Sequence, residues 1–174
     1  MITLETDRLR LRSEWRDDDL DALAAMNADP EVMRYILDGA VRDREQSAAA
    51  LAKFARDWRE RGYGLFAIDV RETGALAGWA GLALPAFLPE VMPSVEIGWR
   101  LARGSWGKGY ATEAATAALR FGFDELGLDR VISIRHPENV RSARVMEKLG
   151  LAYEFDAVIP VYHQQVAVHA IARG

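Results

Sequence analysis

The sequence Trp106-Gly107-Lys108-Gly109-Tyr110-Ala111-Thr112-Glu113-Ala114 joins an apolar, strand-like run at 95–101 to an alanine-rich helical pattern at 112–126. In such an arrangement several free backbone N–H groups point toward one place, because the first four N–H groups of a helix have no partner within it. The helix dipole adds partial positive charge there, and phosphate is a common ligand of such a helix end. Gly107 and Gly109 allow the backbone to approach an anion without a Cβ in the way. The stretch therefore predicts a loop that binds the pyrophosphate of a cofactor.

Two common nucleotide-binding motifs fit this loop poorly. The Walker motif requires Lys and then Ser or Thr after its last glycine, whereas Tyr110 and Ala111 follow Gly109. The dinucleotide motif requires a third glycine where Thr112 stands, and it belongs to an early βαβ unit. A nucleotide-phosphate module is therefore disfavoured.

The composition indicates a globular protein and disfavours several functional classes. With 174 residues and no linker or repeat, residues 1–174 are expected to form a single domain. The net charge of −4 disfavours nucleic acid as a partner. The chain has no cysteine, and His163 and His169 have no carboxylate cluster at ligand spacing, so we expect no metal site. No signal peptide or long apolar run is present, so we expect a cytoplasmic protein without a membrane partner.

The predicted elements follow the order β-α-α-β-β-β-α-β-α-β-β. Period-two alternation and apolar runs bounded by turn residues indicate strands, and apolar stripes at helical spacing indicate helices. They predict a mixed α/β (α+β) fold, with a mostly antiparallel central sheet of about seven strands flanked by about four helices. The predicted strands are 4–15, 65–70, 76–84, 95–101, 130–135, 151–155 and 165–171, and the clearest helices are 44–61, 112–126 and 139–149.

Over nearly its whole length the chain resembles the acetyl-CoA-dependent N-acetyltransferase superfamily (GNAT). Within it, the chain is most similar to the branch that includes the ribosomal-protein-alanine N-acetyltransferases. The strongest resemblance lies in Glu96-Ile97-Gly98-Trp99-Arg100-Leu101 followed by 106–114, and the others lie in Thr6–Arg12, Gly74–Leu82, Asn139-x-x-Ser142 and Glu147–Leu151. The resemblance implies a sheet that splays into a V between the fourth and fifth predicted strands.

The resemblance also implies how acetyl-CoA binds. The superfamily's pyrophosphate loop, Arg/Gln-x-x-Gly-x-Gly/Ala, is matched by Trp106-x-x-Gly109-x-Ala111. Because Trp replaces the basic or amide residue, main-chain N–H groups are expected to bind the anion, with Lys108 adding charge. The backbone of the fourth strand is expected to pair with the pantetheine arm in the manner of an added strand. The expected cofactor-binding residues are Trp99, Arg100, Leu101, Trp106, Gly107, Lys108, Gly109, Tyr110, Ala111, Thr112, Asn139 and Ser142.

Two residues are candidates for catalysis. Ser142 matches the serine of Asn-x-x-Ser in this branch, which implies that it protonates the departing CoA thiolate while Asn139 binds the pantetheine arm. Helix signals alone predict instead that Asn139 is an N-cap and Ser142 an exposed first-turn residue. Glu96 is our candidate general base, and an outward-facing strand carboxylate is the alternative. We interpret Glu113 as a partner of the helix dipole and His136 as a turn residue.

The expected reaction is transfer of the acetyl group of acetyl-CoA to a primary amine by direct attack in a ternary complex. The acceptor amine could belong to a protein N-terminus or to a small molecule. A catalytically silent acyl-CoA-binding or sensing module would share every cofactor residue, and the presence of both Ser142 and Glu96 favours an enzyme. Segments 29–40, 85–93 and 155–165 are expected to set the acceptor. The sequence leaves the oligomeric state open, including a homodimer.

Overall fold

The computed structural model describes all 174 residues and contains one eight-stranded sheet with the order β1-β2-β3-β4-β5-β6-β8-β7. The strands are β1 (Thr3–Glu5), β2 (Leu9–Arg12), β3 (Leu65–Val70), β4 (Leu76–Ala83), β5 (Glu96–Leu101), β6 (Arg130–Arg135), β7 (Ala152–Ile159) and β8 (Gln164–Ala172). The α-helices are α1 (Asp19–Ala28), α2 (Pro30–Met33), α3 (Arg44–Arg61), α4 (Tyr110–Asp124) and α5 (Val140–Leu149). Two 3₁₀ turns cover Pro89–Val91 and Arg103–Ser105. The mixed, mostly antiparallel fold predicted from the sequence is confirmed.

The N-terminal run 4–15, predicted as one strand, forms two. β1 and β2 pair antiparallel, and the hydroxyl of Thr6 between them accepts a hydrogen bond from the N–H of Leu9 at 3.1 Å. Alternation of side chains persists across such a turn, so the pattern did not show where the chain reverses. This extra strand gives a sheet of eight strands where about seven were expected.

The middle of the chain agrees closely with its sequence signals. α3 spans the predicted residues 44–61, begins with a capping box between Asp43 and Gln46, and ends at Gly62 in the left-handed conformation. The predicted antiparallel hairpin is present as β3 and β4, and β5 pairs antiparallel with β4. The short helix α2 brings the number of helices to five where about four were expected.

The sheet opens between β5 and β6, as the resemblance implied. These two strands are parallel and share one residue pair, Glu96 with Ile132, next to a 2.9 Å hydrogen bond from the N–H of Ile132 to the carbonyl of Val95. From there the strands diverge toward the carboxyl end of β5. β6 continues into a regular antiparallel ladder with β8. The vertex of the V therefore lies at Glu96, and its open end lies beside the loop that follows β5.

The two faces of the sheet are covered by different helices. α4 packs on one face, where Ala114, Ala115 and Ala118 are fully buried with Ile97 and Leu101 of β5. Small side chains here allow the helix to approach the sheet closely. The other face carries a second apolar cluster that includes residues from α1 and α2 and packs against α3. Because side chains alternate along a strand, the even-numbered residues of β5 face this second side.

Candidate active site

A cleft of about 590 Å³ lies at the open end of the V. Four segments line it: α2 and the turn after it, the end of β5, the loop leading into α4, and α5 with the turn before it. Of the twelve residues expected to bind the cofactor, eleven line this cleft. They are Trp99, Arg100, Leu101, Trp106, Gly107, Gly109, Tyr110, Ala111, Thr112, Asn139 and Ser142. The structure therefore brings together residues from three separate parts of the sequence.

The start of α4 presents a run of unpaired donors. The N–H groups of residues 107–112 donate no hydrogen bond to the protein, and the first helical bond runs from Glu113 to the carbonyl of Gly109. Gly109 is the N-cap, has φ +80°, and provides no side chain to cap the helix. A Cβ at this position would lie 3.3 Å from Nη2 of Arg8. This helix end is therefore open to an anionic ligand.

The side chain of Trp106 stabilises the loop between β5 and α4. Its indole N–H donates to the carbonyl of Leu101 at 2.9 Å, and the guanidinium of Arg141 lies 4.2 Å from the centre of its ring. The tryptophan thus links the end of β5, the loop and α5. Lys108 is exposed and lies outside the residues that line the cleft, and its carbonyl accepts a 2.8 Å hydrogen bond from Nη1 of Arg8.

The backbone of β5 is unpaired along the cleft. The carbonyl of Ile97 faces β6, because it accepts a 2.8 Å hydrogen bond from the hydroxyl of Ser133. Backbone groups alternate sides along a strand, so the N–H and C=O of Trp99 and the N–H of Leu101 face the same opening. Arg100 turns its backbone toward β4, where it pairs with Trp79, and contributes its side chain to the cleft.

Asn139 and Ser142 meet at the start of α5. Oδ1 of Asn139 accepts a 3.1 Å hydrogen bond from the N–H of Ser142, so the N-cap role predicted from helix signals is confirmed. Ser142 is half-buried and not exposed, and its hydroxyl makes no hydrogen bond within the protein. A free hydroxyl at the wall of the cleft is available to a ligand.

Glu96 lies at the vertex of the V, apart from the residues that line the cleft. At the rise of an extended strand its Cα is about 10 Å from that of Trp99. Burial of the carboxyl group raises the pKa of Glu96 to about 8, although the N–H of Ile134 acts in the opposite direction. A carboxyl group with this pKa is mostly protonated at pH 7 and half-ionised near pH 8, so its ionised form is a stronger base than an ordinary carboxylate.

The sequence profile of the acetyltransferase (GNAT) domain matches residues 8–152, which include every element of the V. The chain is a member of the GNAT acetyltransferase family. It is an acetyl-CoA-dependent acetyltransferase, as the family resemblance implied. It is 35% identical to the uncharacterized N-acetyltransferase YnaD of Bacillus subtilis over 159 residues, which cover 90% of this chain and 88% of the relative.

Solved structures of other GNAT acetyltransferases share the fold. An acetyltransferase from Agrobacterium tumefaciens superimposes with a TM-score of 0.85 at 29% identity, covering 99% of this chain and 95% of that one. The ribosomal-protein-S5-alanine acetyltransferase of Vibrio fischeri superimposes with a TM-score of 0.76 over 99% and 97% of the two chains. At 16% identity this second likeness is one of fold alone. The ribosomal-protein-alanine branch therefore stays a prediction.

The cleft of this GNAT member also contains basic side chains that were not predicted from the sequence. Arg141, Arg144 and Lys148 lie on one side of α5, and Arg34 faces them from the turn after α2. Their spacing of three and four residues along α5 was a readable signal, since such residues share a helix face. These cations give the cleft positive charge although the protein as a whole is acidic.

Glu113 and His136 have structural partners. The carboxylate of Glu113 accepts from the hydroxyl of Thr6 at 2.6 Å and from the backbone and side chain of Arg8. Partial burial disfavours the charged carboxylate, but these donors outweigh it and lower the pKa of Glu113. Nδ1 of His136 accepts from the N–H of Glu138 at 3.1 Å, as expected of a turn residue.

The structure contains no group of three or more His, Cys, Asp and Glu side chains arranged to hold a metal ion. None of its helices combines the length and the apolar character required to cross a membrane.

Proposed function

We propose that this acetyltransferase transfers the acetyl group of acetyl-CoA to a primary amine by direct attack within a ternary complex. The observation that carries the proposal is the V between β5 and β6, where free backbone groups of Trp99 lie beside the uncapped start of α4. The free hydroxyl of Ser142 lines the same cleft. The surface proposed to bind acetyl-CoA and the hydroxyl proposed to donate a proton thus lie in the same cleft.

The residues present fit the phosphates and the pantetheine arm of acetyl-CoA. The N–H groups of residues 107–112 suit a diphosphate, because they are consecutive, unpaired and at the positive end of a helix dipole. The basic side of α5 suits the remaining phosphate. The N–H and C=O of Trp99 suit the amide groups of the pantetheine arm, with Asn139 contributing its unpaired amide nitrogen. Acetyl-CoA supplies an activated acyl group as a thioester.

Ser142 would assist departure of the leaving group. A hydroxyl without a partner in the protein can donate to a developing thiolate, and the fixed backbone at the Asn139 cap holds it in the first turn of α5. The oxyanion of the tetrahedral intermediate needs a donor as well. A free N–H of β5, at Trp99 or Leu101, is the type of group that stabilises such charge.

Glu96 would accept the proton of the acceptor amine. Alkyl amines have pKa values near 10, so a carboxylate of ordinary pKa is a poor acceptor for their protons. The raised pKa of Glu96 reduces this mismatch. Because Glu96 lies at the vertex of the V, about 10 Å along β5 from Trp99, we expect the proton to travel through a water molecule.

The test is the release of free CoA thiol from acetyl-CoA in the presence of a panel of amines. The panel includes peptides with free N-terminal amines, polyamines, amino acids and simple alkyl amines. Stimulation by one group of amines, with the N-acetylated product detected by mass spectrometry, would establish the reaction. Binding of CoA without stimulation by any amine would instead favour a silent acyl-CoA-binding or sensing module.

A further inference from the structure

Arg100 is a half-buried cation with almost no partners. Its Nη1 donates to Oδ1 of Asn27 at 2.9 Å, and this is the one hydrogen bond that its guanidinium makes. Its Nε is fully buried and has no hydrogen-bond partner. No carboxylate lies within salt-bridge distance of it, although the chain forms eleven salt bridges elsewhere. A guanidinium withdrawn from water normally has an anionic partner.

The neighbours of Arg100 add further unpaired donors and positive charge. Its guanidinium lies 5.1 Å from the centre of the Trp79 ring, and the buried indole N–H of Trp79 also has no partner. Burial and the nearby guanidinium of Arg42 lower the pKa of Arg100 to about 10. The ring of Trp79 offsets this charge in part through its π face. The region is nevertheless positive and short of acceptors.

Two carboxylates in the segments that flank α2 are already paired with other arginines. Asp38 pairs with Arg42, and both oxygens of Asp29 accept from Arg103. Asn27 cannot supply charge, and its amide nitrogen donates to the hydroxyl of Ser47 at 3.2 Å. Glu31 is exposed at the rim of the cleft. An anion that enters from the cleft is the partner that would complete this arrangement.

The position of Arg100 connects it with the reaction. It lines the cleft next to Trp99 and near Tyr35 and Ile36, the residues after α2. It lies on the same face of β5 as Glu96, and the ring of Trp79 covers Gly98 between them. Their Cα atoms are about 13 Å apart at the rise of a strand, and both side chains are long. The cleft that Arg100 lines is therefore the side from which a small molecule can reach the guanidinium.

We infer that Arg100, assisted by Arg42, binds a carboxylate of the acceptor, so that the acceptor is an amine that also carries a carboxylate, such as an amino acid. The inference rests on the proposed function and names its substrate class. The planar guanidinium can bind both oxygens of a carboxylate at once. A polyamine, which is a polycation, would be repelled by Arg100 and Arg42.

Matched sets of acceptors test the inference in the wild-type protein. Each set contains an amino acid, its carboxamide and its decarboxylated amine, for example L-phenylalanine, L-phenylalaninamide and phenethylamine, with acetyl-CoA at saturation. We expect kcat/KM to be at least about tenfold higher for the carboxylate than for either relative in the best set. Equal or better turnover of the decarboxylated amines would overturn the inference while leaving the proposed function intact. Failure of every amine to stimulate thiol release would overturn both.

Substitutions of single arginines test whether Arg100 is the source of the preference for carboxylate acceptors. In Arg100→Gln, kcat/KM for the carboxylate acceptor should fall at least about tenfold more than kcat/KM for the decarboxylated amine. Arg44→Gln is the control, because it removes an exposed arginine that pairs with Asp21 and does not line the cleft. It should keep the wild-type preference. Calorimetry on Arg100→Gln measures the affinity for CoA separately from the acceptor preference.

A loss of CoA affinity in Arg100→Gln, with the acceptor preference retained, would assign the guanidinium to the cofactor and overturn the inference. If Arg100→Gln does not fold, the Arg42→Gln variant and the comparison of matched acceptors in the wild-type protein still test the inference. Arg42→Gln should then weaken the preference for the carboxylate by several-fold, and an unaltered preference there would contradict the inference.

Discussion

The indole N–H of Trp106 donates to the carbonyl of Leu101 across 2.9 Å, which fastens the last residue of β5 to the loop that precedes α4. The bond gives the Leu101 carbonyl a protein donor, while the N–H groups of residues 107–112 donate to no protein group. We therefore expect the tryptophan that replaces the basic or amide residue of the family motif to position the backbone, and the backbone to provide the donors for the cofactor.

Replacing Trp106 with Phe should test this role. The ring remains but the carbonyl of the nearly buried Leu101 loses its donor, so we expect a loss of about 1–2 kcal/mol in the free energy of unfolding. CoA affinity should fall several-fold. The control is Trp58→Phe, which removes an indole bond to the carbonyl of Leu65 that Trp15 also satisfies. Urea unfolding and calorimetry measure both effects, and equal CoA affinity in the two variants would contradict the role of Trp106.

Gly109 should not tolerate a side chain. A Cβ added at φ +80° strains the backbone by about 1–2 kcal/mol and would lie 3.3 Å from Nη2 of Arg8. We expect Gly109→Val to reduce acetyl-CoA affinity at least tenfold by calorimetry, because the N–H groups at the start of α4 would shift. Gly104→Ala is the control, since its Cβ would meet open space. Wild-type affinity in Gly109→Val would refute the assignment of this loop.

Ser142→Ala should affect turnover far more than binding. The hydroxyl has no partner in the protein, so its removal leaves no buried group unsatisfied, and the Asn139 cap uses only the backbone of Ser142. We expect kcat to fall by about 100-fold or more with little change in acetyl-CoA affinity. Ser94→Ala, in the loop before β5, provides the control. An unchanged kcat at saturating substrates would remove Ser142 from the mechanism.

The ionisation of Glu96 should produce a rising limb in the pH profile of kcat/KM. If it is the general base, kcat/KM rises with pH until Glu96 is ionised at about pH 8. This limb should keep its position when acceptor amines of different pKa are compared, and it should vanish in Glu96→Gln. A limb that moves with the pKa of the acceptor, and that survives in Glu96→Gln, would assign the titration to the amine.

The same carboxyl group should make folding stability depend on pH. Its folded pKa lies above the ordinary value of 4.5, so between these pH values the folded state retains a proton that the unfolded chain has lost. Its contribution is complete below about pH 4.5 and declines by about 4–5 kcal/mol as the pH rises to about 8. Glu96→Gln should lack this decline in urea unfolding. Parallel curves for the two proteins would show that Glu96 is not buried as described.

The pair of Arg12 and Asp19 should be important for stability. Both side chains are nearly inaccessible to solvent, and Arg12 also contacts Asp69 at 2.6 Å. Asp19→Ala leaves a buried guanidinium short of one partner, so we expect a loss of about 3 kcal/mol. Asp21→Ala, two residues along α1, removes an exposed carboxylate from its pair with Arg44 and should change stability by less than about 0.5 kcal/mol. Similar thermal unfolding of the two variants would contradict the expectation.

The sequence was informative where the physical signal is local. The Asp43 cap and Gly62 bounded α3, and the turn Glu72-Thr73-Gly74 separated the strands of the hairpin. The N-terminal strand was less well defined, because alternation continues unchanged through the turn at Thr6. The basic side of α5 was readable from spacing, but its contribution to the cleft depended on α5 facing the loop after β5.

By itself the sequence determined the order of the elements, the loop at 106–114 and the family, because caps, turns and motifs depend on residues a few positions apart. The tertiary structure alone decided how these parts are used. It tied Trp106 to Leu101, placed Glu96 at the vertex of the V, and buried Arg100 beside Asn27 without a carboxylate. Such relations arise when distant segments pack together, since burial and charge pairing depend on which surfaces meet in space.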